Sequence, residues 1–419
     1  MRILHVNKYL YRRGGAEGYL LDVADIQAAA GHTVAFFGMS HPDNLEQPYA
    51  RHFPKLIELE PAPPGVTAKA AAAARMLYSS SSRRGMAHVL ADFAPDVVHL
   101  HNIYHQLSPS ILAATRQAGV PTVMTLHDYK LACPSYQLLD HGETCDACIA
   151  GGFRNALRRR CKDGSLGASA LLALESWAHR VSGAYDPVHA FISPSRFLAD
   201  VMSAAGVFPD RMHVVNHFVD VAHAAVKGTA GGPVVFAGRL ASEKGVDILI
   251  EAIGRLGSRA TLEVAGDGPA RAELEALAAD RAPGQVHFHG RLGKAQLQEL
   301  VRSSIAMAVP SRWYENQPMT VLESFALGVP VVATRMGGLP ELVDSGADGL
   351  VVSPNDPALL ADALGYLLDD PAGALEMGQV GRRKVERDFT PARHLARLGE
   401  VYRRAGSNTA AVIPSQGAR

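Results

Sequence analysis

Short apolar runs alternate with segments of helical periodicity along most of the chain. Short apolar runs bounded by turn residues are typical of buried parallel strands, whereas apolar positions three or four residues apart mark helices. The alternation predicts βα units and therefore an α/β protein with two doubly wound, Rossmann-like parallel sheets. The predicted strands lie at 3–6, 33–37, 97–100, 122–126, 190–192 and 213–215, and at 234–236, 261–265, 286–288, 305–309, 329–333 and 349–352.

The two sets of strands predict two domains that face each other across a cleft. We place the first domain at residues 1–216 and the second at 217–388, with the hinge at the polar segment 216–220. A final helix at 389–405 is expected to pack back on the first domain, and the small, polar tail 406–419 is expected to be disordered. Because open parallel sheets bind ligands beyond the carboxyl ends of their strands, the site is sought in the loops that follow them.

Composition and charge narrow the class of protein. The 419 residues are 47% hydrophobic and 20% charged, which is typical of a globular protein with more than one core. Lys plus Arg and Asp plus Glu each number 41, so no net positive charge points to nucleic acid as a partner. The start of the chain is typical of a strand rather than a signal peptide, and no apolar run approaches the ~20 residues of a membrane span. We therefore expect a cytoplasmic protein.

Two glutamates lie on either side of a predicted helix start. Pro318 suits the first position of a helix, and Gly328 suits its end. Glu315 then lies on the loop before the helix, and Glu323 lies inside it. The free N–H groups at the helix start form an anion site. Two carboxylates flanking such a site suit a ligand with hydroxyl-rich groups on both sides of a diphosphate, and a nucleotide sugar is such a ligand.

Two cations follow the first strand of the second domain. Arg239 and Lys244 lie in the turn between that strand and the next helix. Arginine suits bidentate phosphate binding and lysine acts as a compact positive charge, so both side chains suit a diphosphate held near Pro318. Two solvated loop cations are the alternative interpretation. Arg291, on the loop after residues 286–288, is a candidate for lining a base pocket, although nothing local requires this.

A glycine pair follows the first strand. Gly14 and Gly15 precede a predicted helix, where glycine lets the backbone approach a ligand and the helix start favours negative charge. An ordinary βα turn explains the pair equally well. We consider these glycines candidates for substrate binding because they lie in the first loop of the sheet.

Histidines occur at the ends of two neighbouring strands. His127 follows the strand 122–126, where its imidazole suits hydrogen bonding to a sugar hydroxyl or a phosphate, with Asp128 nearby to fix its tautomer. His99 and His101 end the preceding strand and compete for this role. For any single histidine, a satisfied position in the core remains the default interpretation.

All four cysteines lie in one predicted loop, residues 130–165, after His127. A central Cys-x2-Cys with one further cysteine on each side suits a tetrahedral structural zinc site that would pin the loop. Four reduced thiols, or a redox pair at the central motif, are the alternatives. Basic residues beside the cysteines suit anionic lipid headgroups or a lipid-linked diphosphate, and a solvated basic face is equally compatible. The cysteines are Cys133, Cys145, Cys148 and Cys161, and the basic residues are Arg154, Arg158, Arg159, Arg160 and Lys162.

The motifs of the second domain and their order along the chain resemble those of glycosyltransferase family 4, also called group 1. Members of this family are retaining enzymes with the GT-B fold. The resemblance covers most of the chain. It is strongest at residues 234–352, where Gly-Arg-Leu-x4-Gly, Gly-Asp-Gly-Pro and Glu-x7-Glu follow one another. It implies a GDP- or UDP-sugar donor and a glycan or lipid-linked acceptor, as in bacterial-type polysaccharide or lipopolysaccharide synthesis. Such an acceptor implies peripheral contact with the inner face of the cytoplasmic membrane.

The resemblance also assigns roles to residues. Arg239 and Lys244 would neutralise the donor diphosphate, and no cofactor would be required for catalysis. Glu315 would bond the donor sugar and Glu323 the ribose hydroxyls. His127 would face the sugar from the opposite domain, and catalysis would consist mainly of positioning and of stabilising leaving-group charge. Further substrate contacts would come from Gly14, Gly15, Asn316, Gln317, Pro318, Met319 and Thr320.

Two departures from the commoner family pattern concern the sugar pocket. Asn316 and Gln317 replace the usual Phe-Gly after the first glutamate, and His217 stands where glycine is common. Neither departure disturbs the predicted diphosphate site.

Two other functions remain open. A sugar-nucleotide epimerase of the same fold would consume the donor without an acceptor. A non-catalytic zinc-loop binding module is the alternative from another class, although the neutral charge balance and the scarcity of aromatics near the basic run argue against nucleic acid.

Overall fold

The computed structural model describes residues 1–59, 64–222 and 224–412. Two six-stranded sheets, each entirely parallel, contain all twelve predicted strands. The strand order is β2-β1-β3-β4-β7-β8 in the first sheet and β11-β10-β9-β12-β13-β14 in the second, so each sheet is doubly wound. The strands are β1 Arg2–Val6, β2 Thr33–Phe37, β3 Val97–Leu100, β4 Thr122–Thr125, β5 Leu139–Asp140, β6 Glu143–Thr144, β7 Ala190–Ser193, β8 Met212–Val214, β9 Val234–Ala237, β10 Leu262–Ala265, β11 Val286–Gly290, β12 Ala306–Val309, β13 Val331–Thr334 and β14 Gly349–Val352.

Helices cover both faces of each sheet, because strands that are apolar on both sides need a partner on each. Strand β3 pairs with β1 in register Ile3 to Val97, and both residues are buried. The helices are α1 Gly15–Ala29, α2 Val66–Leu77, α3 Ser80–Phe93, α4 Ser110–Ala118, α5 Ala147–Gly151, α6 Arg154–Arg159, α7 Leu166–Val181, α8 Arg196–Ala204, α9 Val246–Leu256, α10 Arg271–Arg281, α11 Lys294–Ser303, α12 Met319–Ala326, α13 Leu339–Leu342, α14 Pro357–Asp369, α15 Pro371–Asp388 and α16 Pro391–Val412.

The last helix packs on the first domain. Its residues Leu398, Val401 and Tyr402 are buried in the same apolar cluster as Ile3 of β1 and Val97 of β3. The helix continues to Val412, so the predicted disordered tail starting at 406 is wrong for residues 406–412. The remainder of that predicted tail, 413–419, lies outside the described residues.

The cysteine-rich loop contains secondary structure that the sequence did not predict. Strands β5 and β6 form a short antiparallel hairpin, and helices α5 and α6 follow it. Across the described parts of the chain, none of the helices has the length and apolar character needed to cross a membrane.

Candidate active site

The loops that follow β4 and β12 meet across the cleft between the domains. The side-chain amide of Asn316 donates a hydrogen bond to the backbone carbonyl of His127, 2.7 Å away. The hydroxyl of Tyr129 donates to the carbonyl of Tyr314 at 3.1 Å. The two domains therefore contact each other at Asn316 and His127, which the sequence had marked as candidates, and at Tyr129 and Tyr314, which it had not.

Lys244 and Glu315 form an ion pair in the second domain. The Lys244 Nζ lies 2.7 Å from Glu315 Oε1, and the Ser311 hydroxyl donates to the same oxygen at 2.5 Å. The Lys244 ammonium also lies 5.2 Å from the centre of the Trp313 ring. Burial by itself would raise the pKa of Glu315, but the charge of Lys244 and these hydrogen bonds lower it, so the carboxylate stays ionised. The pair presents a compact positive charge beside a fixed hydrogen-bond acceptor.

Glycines allow the backbone to pack closely around this pair. Gly245, directly after Lys244, has φ of +68°, and a Cβ there would lie 2.1 Å from the carbonyl oxygen of Pro310. Gly337 has φ of +61°, and its Cβ would lie 2.2 Å from the Glu315 carbonyl oxygen. Sequence reasoning missed Gly337, although a Gly-Gly pair shortly after a strand was an available signal.

The two predicted arginines differ in their surroundings. Arg239 lies on the same turn as Lys244, is 59% exposed, and forms an ion pair with Glu243. Arg291 is exposed on the loop after the edge strand β11, with β10 between that strand and β9. Arg239 therefore shares a turn with Lys244, whereas Arg291 lies at the edge of the second sheet.

Helix α12 carries the second glutamate. The helix begins at Met319, with Pro318 in an extended conformation immediately before it, so its predicted start was one residue early. The Glu323 carboxylate is accessible to solvent but lies within the cleft, where desolvation raises its pKa. Lys294 lowers that pKa and Asp22 of the first domain raises it further. Charges from both domains therefore act on Glu323.

The first loop of the first sheet is open to a ligand. Gly15 is the first residue of α1, and Gly14 precedes it in an extended conformation. A Cβ on Gly15 would meet no atom within 4 Å, so free space lies in front of this helix start. The arrangement is that expected of a backbone approached by substrate.

His127 lies half-buried at the cleft end of β4. Its Nε2 is 3.0 Å from Nδ1 of His101, and its ring centre is 6.1 Å from that of His217. Burial lowers the pKa of His127 to about 3, so the ring is neutral at physiological pH. Asp128 accepts a hydrogen bond from the backbone N–H of Lys130 at 2.9 Å. Among the described residues no hydrogen bond joins Asp128 to His127, whose Nε2 faces His101 instead, so the prediction that Asp128 fixes its tautomer is wrong.

The four cysteines are all free thiols. Burial, together with the nearby Cys133, Cys161 and Cys145, raises the pKa of Cys148 to about 12. A thiol with so high a pKa is a poor nucleophile, which argues against a redox pair at Cys145 and Cys148. In the described chain, no three of these sulfur atoms lie within 4.8 Å of one another, so a four-thiolate site would have to close around its metal.

Comparisons with known proteins identify the family of both halves of the chain. The family model described as Glycosyltransferase Family 4 matches residues 13–223, and the model described as Glycosyl transferases group 1 matches residues 232–370. The D-inositol 3-phosphate glycosyltransferase 1 of Catenulispora acidiphila is 28% identical, over 94% of this chain and 91% of its own.

Solved structures with low sequence identity share the fold. Sucrose-phosphate synthase from Thermosynechococcus elongatus superposes with a TM-score of 0.71 at 19% identity, over 97% of this chain and 99% of its own. HepE of Anabaena, in complex with UDP-glucose, superposes with a TM-score of 0.63 at 18% identity, over 98% of this chain and 100% of its own. With two doubly wound domains closed over a shared cleft and both halves matched, the chain belongs to glycosyltransferase family 4 and is a glycosyltransferase of the GT-B fold.

Proposed function

We propose that this glycosyltransferase moves a sugar from a nucleoside diphosphate to a glycan or lipid-linked acceptor, with retention of anomeric configuration. The observation that carries the proposal is the ion pair between Lys244, on the turn between β9 and α9, and Glu315, on the loop that leads into α12. A diphosphate leaving group develops negative charge, and a lysine beside a helix start stabilises that charge where it forms. The ionised Glu315 accepts hydrogen bonds from sugar hydroxyls.

The surrounding residues supply recognition rather than a nucleophile. Glu323 accepts from the ribose hydroxyls, and Arg239 exchanges its partner Glu243 for a phosphate oxygen when the donor binds. The open space before Gly15 accommodates the sugar or the β-phosphate, and His127 faces the sugar from the first domain. Catalysis then consists of positioning and of charge stabilisation, and the acceptor proton passes to a phosphate oxygen of the leaving group.

A donor assay tests this proposal directly. UDP and GDP are compared first for thermal stabilisation, because a ligand that binds only the folded protein raises its unfolding temperature. HepE, a structural neighbour, contains UDP-glucose, so UDP-glucose is the first donor to assay. Transfer that requires an acceptor supports the proposal, whereas donor conversion without any acceptor would identify an epimerase. No binding of either nucleotide would refute both functions.

The outer face of α7 suggests where the acceptor resides. Leu174, Trp177 and Val181 lie on one side of this helix and are 50%, 57% and 68% exposed. Helix α6 packs against α7 and presents exposed Arg154 and Arg158. An exposed apolar stripe containing tryptophan, with exposed arginines on the helix packed against it, suits the interface of an anionic membrane. We propose that this face binds the inner membrane peripherally, close to a lipid-linked acceptor.

We also propose that the cysteine-rich loop binds one structural Zn²⁺ through its four thiolates. The neighbouring thiols help to raise the pKa of Cys148 and of Cys161, and Cys133 and Cys148 are buried. The guanidinium of Arg159 lies near Cys145 and Cys161, where it would offset the negative charge of a four-thiolate centre. Zinc here would rigidify the loop that begins beside His127.

A further inference from the structure

A continuous chain of hydrogen bonds runs through the first domain from α16 to the cleft. The side-chain nitrogen of Gln27 donates to the hydroxyl of Tyr402 at 3.0 Å, and its oxygen lies 2.7 Å from His5 Nε2. His5 Nδ1 lies 3.1 Å from His101 Nε2. His101 Nδ1 lies 3.0 Å from His127 Nε2. The first four members are buried, and only His127 reaches the cleft.

Each histidine in this chain carries a single ring proton. Burial lowers the pKa of His5 to about 4 and of His127 to about 3, and it also lowers the pKa of His101, whose neighbouring histidines add to the effect. A neutral imidazole has one donor and one acceptor nitrogen. The bond at one end of a ring therefore decides the role of the nitrogen at the other end.

The orientation of Gln27 sets the direction of every bond. Its carbonyl oxygen accepts from His5 Nε2, so His5 Nδ1 is an acceptor and must receive its proton from His101 Nε2. His101 Nδ1 is then an acceptor for His127 Nε2. The proton of His127 is therefore on Nε2, and none of the described residues forms a hydrogen bond with its Nδ1.

We propose that Gln27, His5 and His101 are positioning residues that hold His127 Nδ1 unprotonated, so that it accepts a hydrogen bond from a hydroxyl of the donor sugar. We call this chain of hydrogen bonds from Gln27 through His5 and His101 to His127 the relay. An unprotonated nitrogen has no proton to donate to a phosphate oxygen, so the relay favours a sugar hydroxyl over the diphosphate as the partner of His127. This inference rests on the proposed function, because it concerns the same cleft. It extends that function to buried residues behind the cleft.

A metal ion is the competing explanation for the histidine cluster. Ligand atoms of His5, His99 and His101 lie within 4.8 Å of one another. However, both nitrogens of His99 already have partners, Tyr402 at 2.8 Å and Thr125 at 2.7 Å. All three rings are fully buried, and hydrogen bonds account for every ring nitrogen without a metal.

Nitrogen-15 NMR of protein labelled at histidine tests the relay without any turnover. The shifts of the ring nitrogens distinguish protonated from unprotonated positions, and a His127→Gln variant assigns the His127 signals. We expect Nε2 to be protonated and Nδ1 unprotonated in the wild-type protein. Addition of UDP-glucose should shift the Nδ1 signal, whereas UDP should leave it in place. A protonated Nδ1 in the wild-type protein would overturn the proposal.

Two substitutions at Gln27 examine the far end of the relay. Gln27→Glu keeps an acceptor towards His5 and should preserve the tautomer, whereas Gln27→Met removes the acceptor and should give a mixture of both His127 tautomers. Loss of one neutral hydrogen bond to the sugar predicts a roughly 2- to 10-fold higher KM for the donor in Gln27→Met. An unchanged tautomer in Gln27→Met refutes the relay. Should that variant fail to fold, the wild-type spectrum decides alone, and absence of transfer with every donor would refute only the proposed function.

Discussion

The side-chain amide of Asn316 bonds to the backbone carbonyl of His127 and so joins the second domain to the first inside the cleft. The neighbouring Gln317 accepts a hydrogen bond from the backbone N–H of His217 at 2.6 Å. Asn316, Gln317 and His217 are the positions at which the sequence departs from the commoner family pattern. Gln317 and His217 contact each other, and a glycine at position 317 would have no side chain to make this bond. Asn316 therefore contributes to closing the cleft, and Gln317 fixes its loop to the hinge at His217.

Replacement of Lys244 should abolish most of the transfer activity. In Lys244→Met, the diphosphate loses its compact counter-charge and Glu315 loses the partner that keeps it ionised, so its pKa should rise. Removal of one group that stabilises developing charge predicts a loss of roughly 100-fold or more in kcat. Steady-state kinetics with UDP-glucose measure this loss. Lys55→Ala, at an exposed lysine, is the matched control, and equal kinetics in both variants would contradict the assignment.

Gly337→Ala should damage the site through the backbone. The new Cβ would lie 2.2 Å from the Glu315 carbonyl oxygen, so the loop carrying Glu315 must move. Gly119→Ala is the control, because Gly119 has a similar, left-handed φ of +65° but no atom within 4 Å of its Cβ. The left-handed backbone should lower the free energy of unfolding by about 1 kcal/mol in both variants. The clash of the new Cβ with the Glu315 carbonyl oxygen should lower it further only in Gly337→Ala. Chemical unfolding measures the stability of the two variants, and donor turnover measures their activity. Equal losses of stability and activity in both variants would argue against close packing at Gly337.

Asp128 should make the protein less stable as pH rises from about 4 to about 6. Burial raises its pKa from the ordinary 3.8 to about 6, so in this interval the folded protein holds a proton that the unfolded chain has released. Asp128→Asn removes this pH-dependent contribution to the free energy of unfolding and keeps a hydrogen-bond acceptor for the Lys130 N–H. The unfolding temperature of the variant, relative to wild type, should therefore increase across this interval. If the difference in unfolding temperature between the variant and the wild-type protein did not change with pH, the raised pKa of Asp128 would be contradicted.

The exposed face of α7 should bind anionic membranes. Trp177→Ser combined with Leu174→Ser should reduce sedimentation with vesicles of phosphatidylglycerol and phosphatidylcholine, because both apolar side chains are lost. Tyr366→Ser, at a tyrosine that is 60% exposed on the second domain, is the control and should leave binding unchanged. Binding should weaken as salt is raised, since the arginines of α6 contribute electrostatically. Wild-type protein that stays in the supernatant at low salt rules out this docking face.

The cysteine-rich loop should carry about one zinc ion per chain. Metal analysis of protein purified without chelator measures this, and Cys148→Ser should lower the zinc content because one of four thiolates is lost. A chelator should lower the unfolding temperature of the wild-type protein and leave that of the variant nearly unchanged. Wild-type protein that folds normally without bound metal contradicts the zinc prediction and favours four reduced thiols.

Several features of the fold and the site could be read from local sequence. The predicted strands were found because parallel strands are apolar on both faces, which leaves short, continuous apolar runs. The loop position of Glu315 followed from Pro318 and Gly328 at the two ends of the helix. The extent of α16 beyond 405 was missed, because small and polar residues there resemble a disordered tail. The hairpin β5–β6 was missed because two-residue strands leave no detectable period.

The sequence by itself determined the two doubly wound sheets, the loops that carry the site and the family, since these depend on apolar periodicity and on residue types at fixed local spacing. Tertiary structure alone decided which distant side chains meet. It placed Asn316 against His127, Gly337 against Glu315, and His101 rather than Asp128 behind His127. These contacts join residues far apart in the chain, and their geometry depends on how the two domains and their loops pack, which no local pattern of residues encodes.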